Sequence, residues 1–216
     1  MEPMNYGSQV NSIVEAHIKK SSAQKLKGAE SIRELFNLYL DWITFFKKNF
    51  LHDYIVLKIS DKNLEWIKQL VETANKYWPL NFHSVFEDNG IIQEIEADVW
   101  EENKLNPDNK NGIIKMVFQP GCQKLPIHIH PLSDRILLII EGEGYGHYSL
   151  ENPANVDLNS IRTVHVQLGS IIFFRRNTIH TFSTKERSLT TLTYHNPFIS
   201  FDDQTSIEKA ANWYPK

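Results

Sequence analysis

His128 and His130 stand one residue apart in "LPIHIHPLSDRILLIIEGEG" (125–144), and a third histidine, His180, lies in "GSIIFFRRNTIHTF". In an extended segment residues i and i+2 point to the same face, so the first two imidazoles can converge on one point. Imidazole is the commonest metal-binding side chain, and two nitrogens ~2.0–2.1 Å from one ion are ordinary zinc or iron geometry. Taken alone, His-x-His is a weak signal, because exposed loop histidines give the same letters. The surroundings strengthen it. A turn at Pro120-Gly121 precedes the pair, and Gly142 and Gly144 are expected to end the strand that follows. Gly169 opens another strand, and a turn then leads to His180 at the start of the next. Beside the pair, Asp134 and Arg135 could also do chemistry. On a regular strand they face opposite sides, so only one can point inward. Both faces of "RILLIIE" are apolar, and the neighbours do not decide which one does.

These residues need elements to position them. The C-terminal half is a series of short runs rich in β-branched and aromatic residues: "IIQEIEADVW", "IIKMVFQ", "RILLIIEG", "YGHYSL", "VHVQLG", "SIIFFR", "IHTFST" and "LTTLTYH". Most are bounded by Gly, Pro, Asn or Asp, which predicts strands. Many strands in succession without intervening helices predict an antiparallel sandwich or barrel rather than a βαβ fold. The N-terminal half reads as helical. "ESIRELFNLYLDWITFFKKNF" (30–50) places Ile32, Leu35, Phe36, Leu40, Ile43 and Phe46 near helical spacing, with lysines at the end where the helix dipole favours cations. Its aromatics spread around the helix, which predicts two packed neighbours or a subunit contact. "DYIVLKIS" (53–60) predicts a buried strand. Ser60 or Asp61 can cap a following helix with the stripe Leu64, Ile67, Leu70, Val71, Ala74 and Trp78, ended by Pro79. The division expected is a mainly helical region over 1–85, a β-barrel over 86–200, and a tail or short helix over 201–216.

The chain has 216 residues, 41% hydrophobic and 23% charged, with a net charge of −3. That is enough for a sizeable core and gives no reason to expect nucleic acid, which calls for a clustered basic surface. Cys122 is the single cysteine, so an intrachain disulfide is excluded and a reducing, cytoplasmic compartment is the expectation. Cys122 itself reads as a small buried residue beside a turn. No basic-then-apolar leader opens the sequence, and no apolar run approaches the ~20 residues that span a bilayer, so no membrane partner is expected.

"PGCQKLPIHIHPLSDRILLIIEGEG" resembles the first motif of the cupin superfamily, which carries a glycine, His-x-His, a carboxylate and a glycine. "GSIIFFRRNTIH" is similar to the second, with Arg175 at the usual proline position and Asn177 at the usual glycine. Asn tolerates a left-handed turn almost as glycine does. The resemblance covers roughly residues 113 to 198. It implies a mainly β fold with a helical N-terminal region, a cupin-like double-stranded β-helix (jelly-roll) barrel with a metal inside its mouth. It also implies that His128, His130 and His180 are ligands to a divalent ion such as Fe, Mn, Zn or Ni. The family's fourth ligand is usually glutamate, and the matching position is Arg135. A guanidinium is permanently cationic and only donates, so it cannot bind the ion. Three readings stay open. Asp134 supplies the carboxylate, as ligand or general base; or the site is three histidines with open positions; or the metal site has decayed and Arg135 grips an organic anion bidentately.

Other residues have plainer readings. Glu141 and Glu143 read as surface carboxylates, His147 and His195 as hydrogen-bonded barrel or rim histidines, and Arg175, Arg176 and Arg187 as solvated or salt-bridged. Tyr145, Phe173, Tyr194 and Phe198 could wall a pocket, with core packing the default. The function implied is a metal-dependent enzyme of dioxygenase or isomerase type acting on a small, anionic organic acid. The alternatives are a ligand-binding or sensor barrel without catalysis, and a 2-oxoglutarate-type oxygenase, for which the His-x-carboxylate pair is missing. A homodimer is the expected assembly.

Overall fold

Helix α2 (Ala29–Asn49) shows why the N-terminal half folds onto the rest of the chain. Its aromatic side chains are buried around most of its circumference because it has neighbours on several sides. Trp42 donates from Nε1 to the carbonyl of Val10 on α1 (Tyr6–Ser22) at 3.2 Å. Tyr39 donates to the carbonyl of Leu192 at 2.9 Å, and Phe46 stacks on Phe173 with centroids 4.9 Å apart. Leu40, expected on the buried stripe, is 44% exposed, because the packed face is set by Tyr39, Trp42 and Phe46 instead. Helix α1 is tied down further by His17, which lies 2.8 Å from Glu34 through Nδ1 and 3.0 Å from Asp41 through Nε2. Helix α3 (Asp61–Tyr77) starts at Ser60, whose hydroxyl accepts from the Asn63 backbone N–H, and buries Leu64, Ile67, Leu70, Val71 and Ala74 as its spacing predicts. The structure, a computed structural model, describes residues 5–22, 26–50, 54–87, 90–123, 125, 127–155 and 157–198. The expected tail at 201–216 lies outside the described residues. No helix among them is long and apolar enough to cross a membrane.

Among the described residues nine strands make the barrel: β1 (Tyr54–Lys58), β2 (His83–Glu87), β3 (Gly90–Glu101), β4 (Gly112–Phe118), β5 (Asp134–Ser149), β6 (Arg162–Gln167), β7 (Ser170–Phe174), β8 (Ile179–Ser183) and β9 (Leu189–Asn196). Their order is β1-β7-β5-β9-β4-β3-β2, with β6 and β8 pairing to the second half of β5, and every pairing is antiparallel. Strand β1 comes from the N-terminal region yet pairs with β7, so that region contributes a strand to the barrel's sheet.

This sheet is covered on both faces. Toward the helices lie Ile136, Leu138, Ile140, Phe173, Leu192 and Tyr194; toward the barrel interior lie Leu137, Ile139, Ile172, Phe174 and Leu189. Hence residues 136–140 are apolar at every position, as a strand buried on both faces must be.

Gly142 and Gly144 do not end β5, contrary to expectation. The strand runs through both, and its register with β9 slips between Ile139 and Glu141 while Gly142 takes φ 73°. This is a bulge, and it carries β5 from its pairing with β7 and β9 to its pairing with β6 and β8. It also exchanges the faces. Before it the odd-numbered residues point inward; after it Gly146 faces Tyr54 and Phe182, and Tyr148 stacks on Tyr54 at 3.8 Å.

Candidate metal centre

His128 and His180 are direct partners in an antiparallel bridge: each donates its backbone N–H to the other's carbonyl at 2.9 Å. Opposed residues in such a bridge project their side chains to the same side, and His130, two residues on, shares that face. The turn before β8 is held by Asn177, which adopts φ 65° and donates its N–H to the His130 carbonyl at 3.0 Å. Asn177 therefore takes a left-handed turn conformation. The three rings lie with centroids 4.7, 4.7 and 5.0 Å apart, and one nitrogen from each falls within 4.8 Å of the others. The Nε2 atoms of His128 and His130 are 3.1 Å apart. Nitrogens bound to one ion at ~2.0–2.1 Å stand about 3 Å from each other, so this spacing fits a shared cation.

The protonation states fit as well. His180 Nδ1 is 2.8 Å from the Thr178 carbonyl, which can only accept, so the ring proton sits on Nδ1 and the Nε2 lone pair is left for the cluster. Burial pushes the His180 pKa well below the ordinary value, helped by the charges of His128 and Arg135 and only partly offset by the Thr178 contact. His130 is likewise pushed well down, by burial first and then by Arg135 and its two histidine neighbours. Neutral imidazole is the form that binds metal.

Parity along β5 decides between Asp134 and Arg135. Arg135 points inward with Leu137 and Ile139, and is 4% exposed. Its cross-strand neighbours are Phe174 on β7 and His195 on β9. The Phe174 ring is 4.0 Å from that of His180, and the His195 ring is 6.4 Å from that of His130. Arg135 thus stands beside the histidines. Asp134 points to the helix side, where its carboxylate meets Lys47 Nζ of α2 at 2.9 Å, the Arg176 backbone N–H at 2.9 Å and Arg176 Nη2 at 3.4 Å. Among the described residues the group of close ligand atoms holds the three histidines and no carboxylate. The reading in which Asp134 reaches the ion is not the arrangement found, because the unslipped strand turns it toward Lys47.

Burial alone would raise the Asp134 pKa, but the hydrogen bonds from Lys47 and the Arg176 backbone, with the Lys47 charge, outweigh it and hold the carboxyl below its ordinary range. A depressed folded pKa adds stability above the unfolded value, and this is lost as pH falls through the folded one. Asp134→Asn should therefore cost roughly 1–2 kcal/mol at neutral pH, a modest figure because Lys47 and Arg176 stay partly in water. Urea unfolding over a pH series should show the gap to wild type closing below about pH 4. An undiminished gap at that end would refute this account of Asp134.

The remaining candidates sort by face. Phe173 and Tyr194 belong to the helix-side core and do not wall the site. Arg175 donates to the Phe50 carbonyl, and Arg176 holds Asp134. His147 is hydrogen-bonded to Thr163 Oγ1 at 2.9 Å and Ser183 Oγ at 2.7 Å. Glu141 is exposed, and Glu143 meets Arg187 at 3.3 Å and His165 at 3.5 Å. With Tyr145 and Lys185 these last three line a polar depression of about 280 Å³ that contains none of the three clustered histidines. Phe198 and His195 have ring centroids 5.8 Å apart. Cys122 is buried in the inner core. Sequence reasoning missed Thr178, whose contribution is a backbone carbonyl and leaves no trace in residue type. It also missed Phe174, Thr191 and Thr193, which only the strand register places on the inward face.

The barrel brings His-x-His from one segment and a distal histidine from another to one point. No family model matches the chain, and no curated protein matches it. Solved structures similar to it include an oxalate decarboxylase of Lactobacillus farciminis in a formate complex, 15% identical with a TM-score of 0.43 over 56% of this chain and 32% of that one. A cupin-2 domain protein of Rhodospirillum rubrum is 13% identical with a TM-score of 0.43 over 57% of this chain and 74% of that one. The Bacillus subtilis oxalate decarboxylase with Mn(II) centres is 12% identical with a TM-score of 0.42 over 55% and 29%. The chain matches no more than about a third of the length of these decarboxylases.

Proposed function

We propose that this protein is a metal-dependent enzyme that holds a divalent ion on His128, His130 and His180 and acts on a small organic anion bound beside it. The observation that carries the reading is the convergence of three imidazoles, one of them fixed by Thr178, on a point that a single ion would satisfy. When bound, an ion of the Fe, Mn, Zn or Ni type supplies Lewis acidity or redox chemistry there. The chain's own residues do the rest. The histidines hold the ion in a three-ligand set that leaves coordination positions for a substrate. Arg135, planar and always charged, orients a carboxylate bidentately, and Phe174 lines the site with an apolar ring. Metal analysis and calorimetric titration of protein purified without a polyhistidine tag should find about one equivalent of divalent ion per chain, with a raised melting temperature on loading. Wild-type protein that stays metal-free after reconstitution overturns the reading.

Arg135 favours a second reading, a barrel that binds small anions without catalysis; stabilisation by organic anions but not by metals would support it. The 2-oxoglutarate reading is weakened by Arg187, a basic residue that follows His180 in the chain and is exposed and paired with Glu143.

A further inference from the structure

We propose that Ser183 and His147 form a nucleophile–base pair on the outer face of the barrel, which takes the acyl group of a small ester. The pair lies on the opposite face of the sheet from the three histidines, and its chemistry needs no ion.

Alternation along three strands places it. On β8, His180 joins the histidine cluster and Phe182 the inner core, so Thr181 and Ser183 point outward. On β6, Val164 and Val166 pack inward, which leaves Thr163 and His165 exposed outside. Beyond the bulge in β5, Gly146 and Tyr148 face the core, and Tyr145 and His147 face out. Register then sets Thr163 and Thr181 across from His147, and His165 and Ser183 across from Tyr145. The outer face of these three strands is a polar surface with His147 on its middle strand.

The contacts of His147 are those of a base aimed at a hydroxyl. Its Nε2 lies 2.7 Å from Ser183 Oγ, and its Nδ1 lies 2.9 Å from Thr163 Oγ1. A neutral imidazole donates from one nitrogen and accepts at the other. With Nδ1–H given to Thr163, Nε2 accepts the Ser183 O–H, and a third group orients the base. Burial lowers the His147 pKa, so the ring is neutral at neutral pH and can take a proton. Ser183 Oγ then attacks the acyl carbon while its proton passes to Nε2. The leaving alcohol takes that proton as its bond to carbon breaks, and an ester on Ser183 remains. Water, deprotonated by His147 in turn, cleaves this ester and restores the hydroxyl.

A depression beside the pair bounds the substrate. Ser183 stands across from Tyr145 and its carbonyl lies against Gly144, and both of these line the polar depression of about 280 Å³. The Tyr145 ring is flanked by His165, with centroids 5.5 Å apart, and by Lys185 Nζ at 5.0 Å. Space of this size suits a leaving group of roughly one ring, with Tyr145 to pack against it. Lys185 and Arg187 are balanced there by Glu143 and Glu186, so an uncharged ester with a short acyl group fits best.

Phenylmethylsulfonyl fluoride and p-nitrophenyl acetate, applied to the full chain in the presence of a chelator, test the pair. Peptide mass mapping should find one sulfonylated residue, Ser183. The acetate should release a burst of about one equivalent of nitrophenol per chain, as an accumulating acyl-enzyme does. His147→Gln, checked for folding by circular dichroism, should slow both reactions by about 10²–10⁴-fold, the usual share of a general base. Ser183→Ala should lose the burst. Wild-type protein that is not labelled at Ser183, or labelling equally fast in His147→Gln, overturns the pair. Either result leaves the metal reading standing, since neither readout involves an ion.

Discussion

His180→Ala should lower divalent-metal affinity by two to three orders of magnitude, and His128→Ala and His130→Ala should do much the same. Structural zinc sites bind with apparent free energies of about 10–16 kcal/mol, so each of three or four ligands accounts for about 3–4 kcal/mol. His180 is the strictest test, since its ring is 3% exposed and its Nδ1 is committed to the Thr178 carbonyl. Truncation there removes the best-oriented donor. His195→Ala is the matched control. Its ring lies 6.4 Å from that of His130 and stands outside the group of close ligand atoms, so metal affinity should change by less than about threefold. Calorimetric titration of the four variants, each checked for folding by circular dichroism, separates the cases. Comparable losses for His195→Ala and His180→Ala would mean that the donor set has been assigned wrongly.

Gly142→Ala should be the most destabilising single substitution on the barrel, costing more than about 3 kcal/mol against a typical domain stability of about 5–15 kcal/mol. Two effects combine. Gly142 has φ 73°, where an alanine costs roughly 1–2 kcal/mol. A Cβ at that position would also run into the backbone carbonyl of Ser188, with the Ser188 carbonyl carbon only 2.9 Å away. Backbone cannot rotate aside as a flexible side chain can. The Ser188 carbonyl also accepts from Glu143 N–H at 3.2 Å, so displacing it loosens the entry to β9. Urea unfolding with intrinsic fluorescence measures the loss, and a change under 1 kcal/mol would show that the bulge is more forgiving than its geometry implies.

The parts of the site that were legible in the sequence are those set by spacing. His128 and His130 face the same way because residues two apart on an extended chain must, and Asn177 takes the left-handed conformation because few residue types can replace glycine there. Short β-rich runs announced the strands, and the pair Ser60-Asp61 announced the start of α3, with Ser60 the cap in the structure. The orientation of Arg135 was not legible. Alternation reports direction only when one face of a strand is wet, and β5 is covered by helices on one side and by the barrel core on the other. Gly142 misled for a related reason: a glycine between apolar runs reads equally as a strand end or as a bulge, and only the partner strand's register tells them apart.

The sequence by itself determined the donor types, their pairwise spacing and the β-rich half that carries them, since these follow from local backbone geometry and composition. Tertiary structure alone decided that Asp134 belongs to Lys47 and Arg135 to the histidines. That choice depends on which face of β5 the helix α2 covers, and a helix ninety residues away in the chain can be placed only by packing.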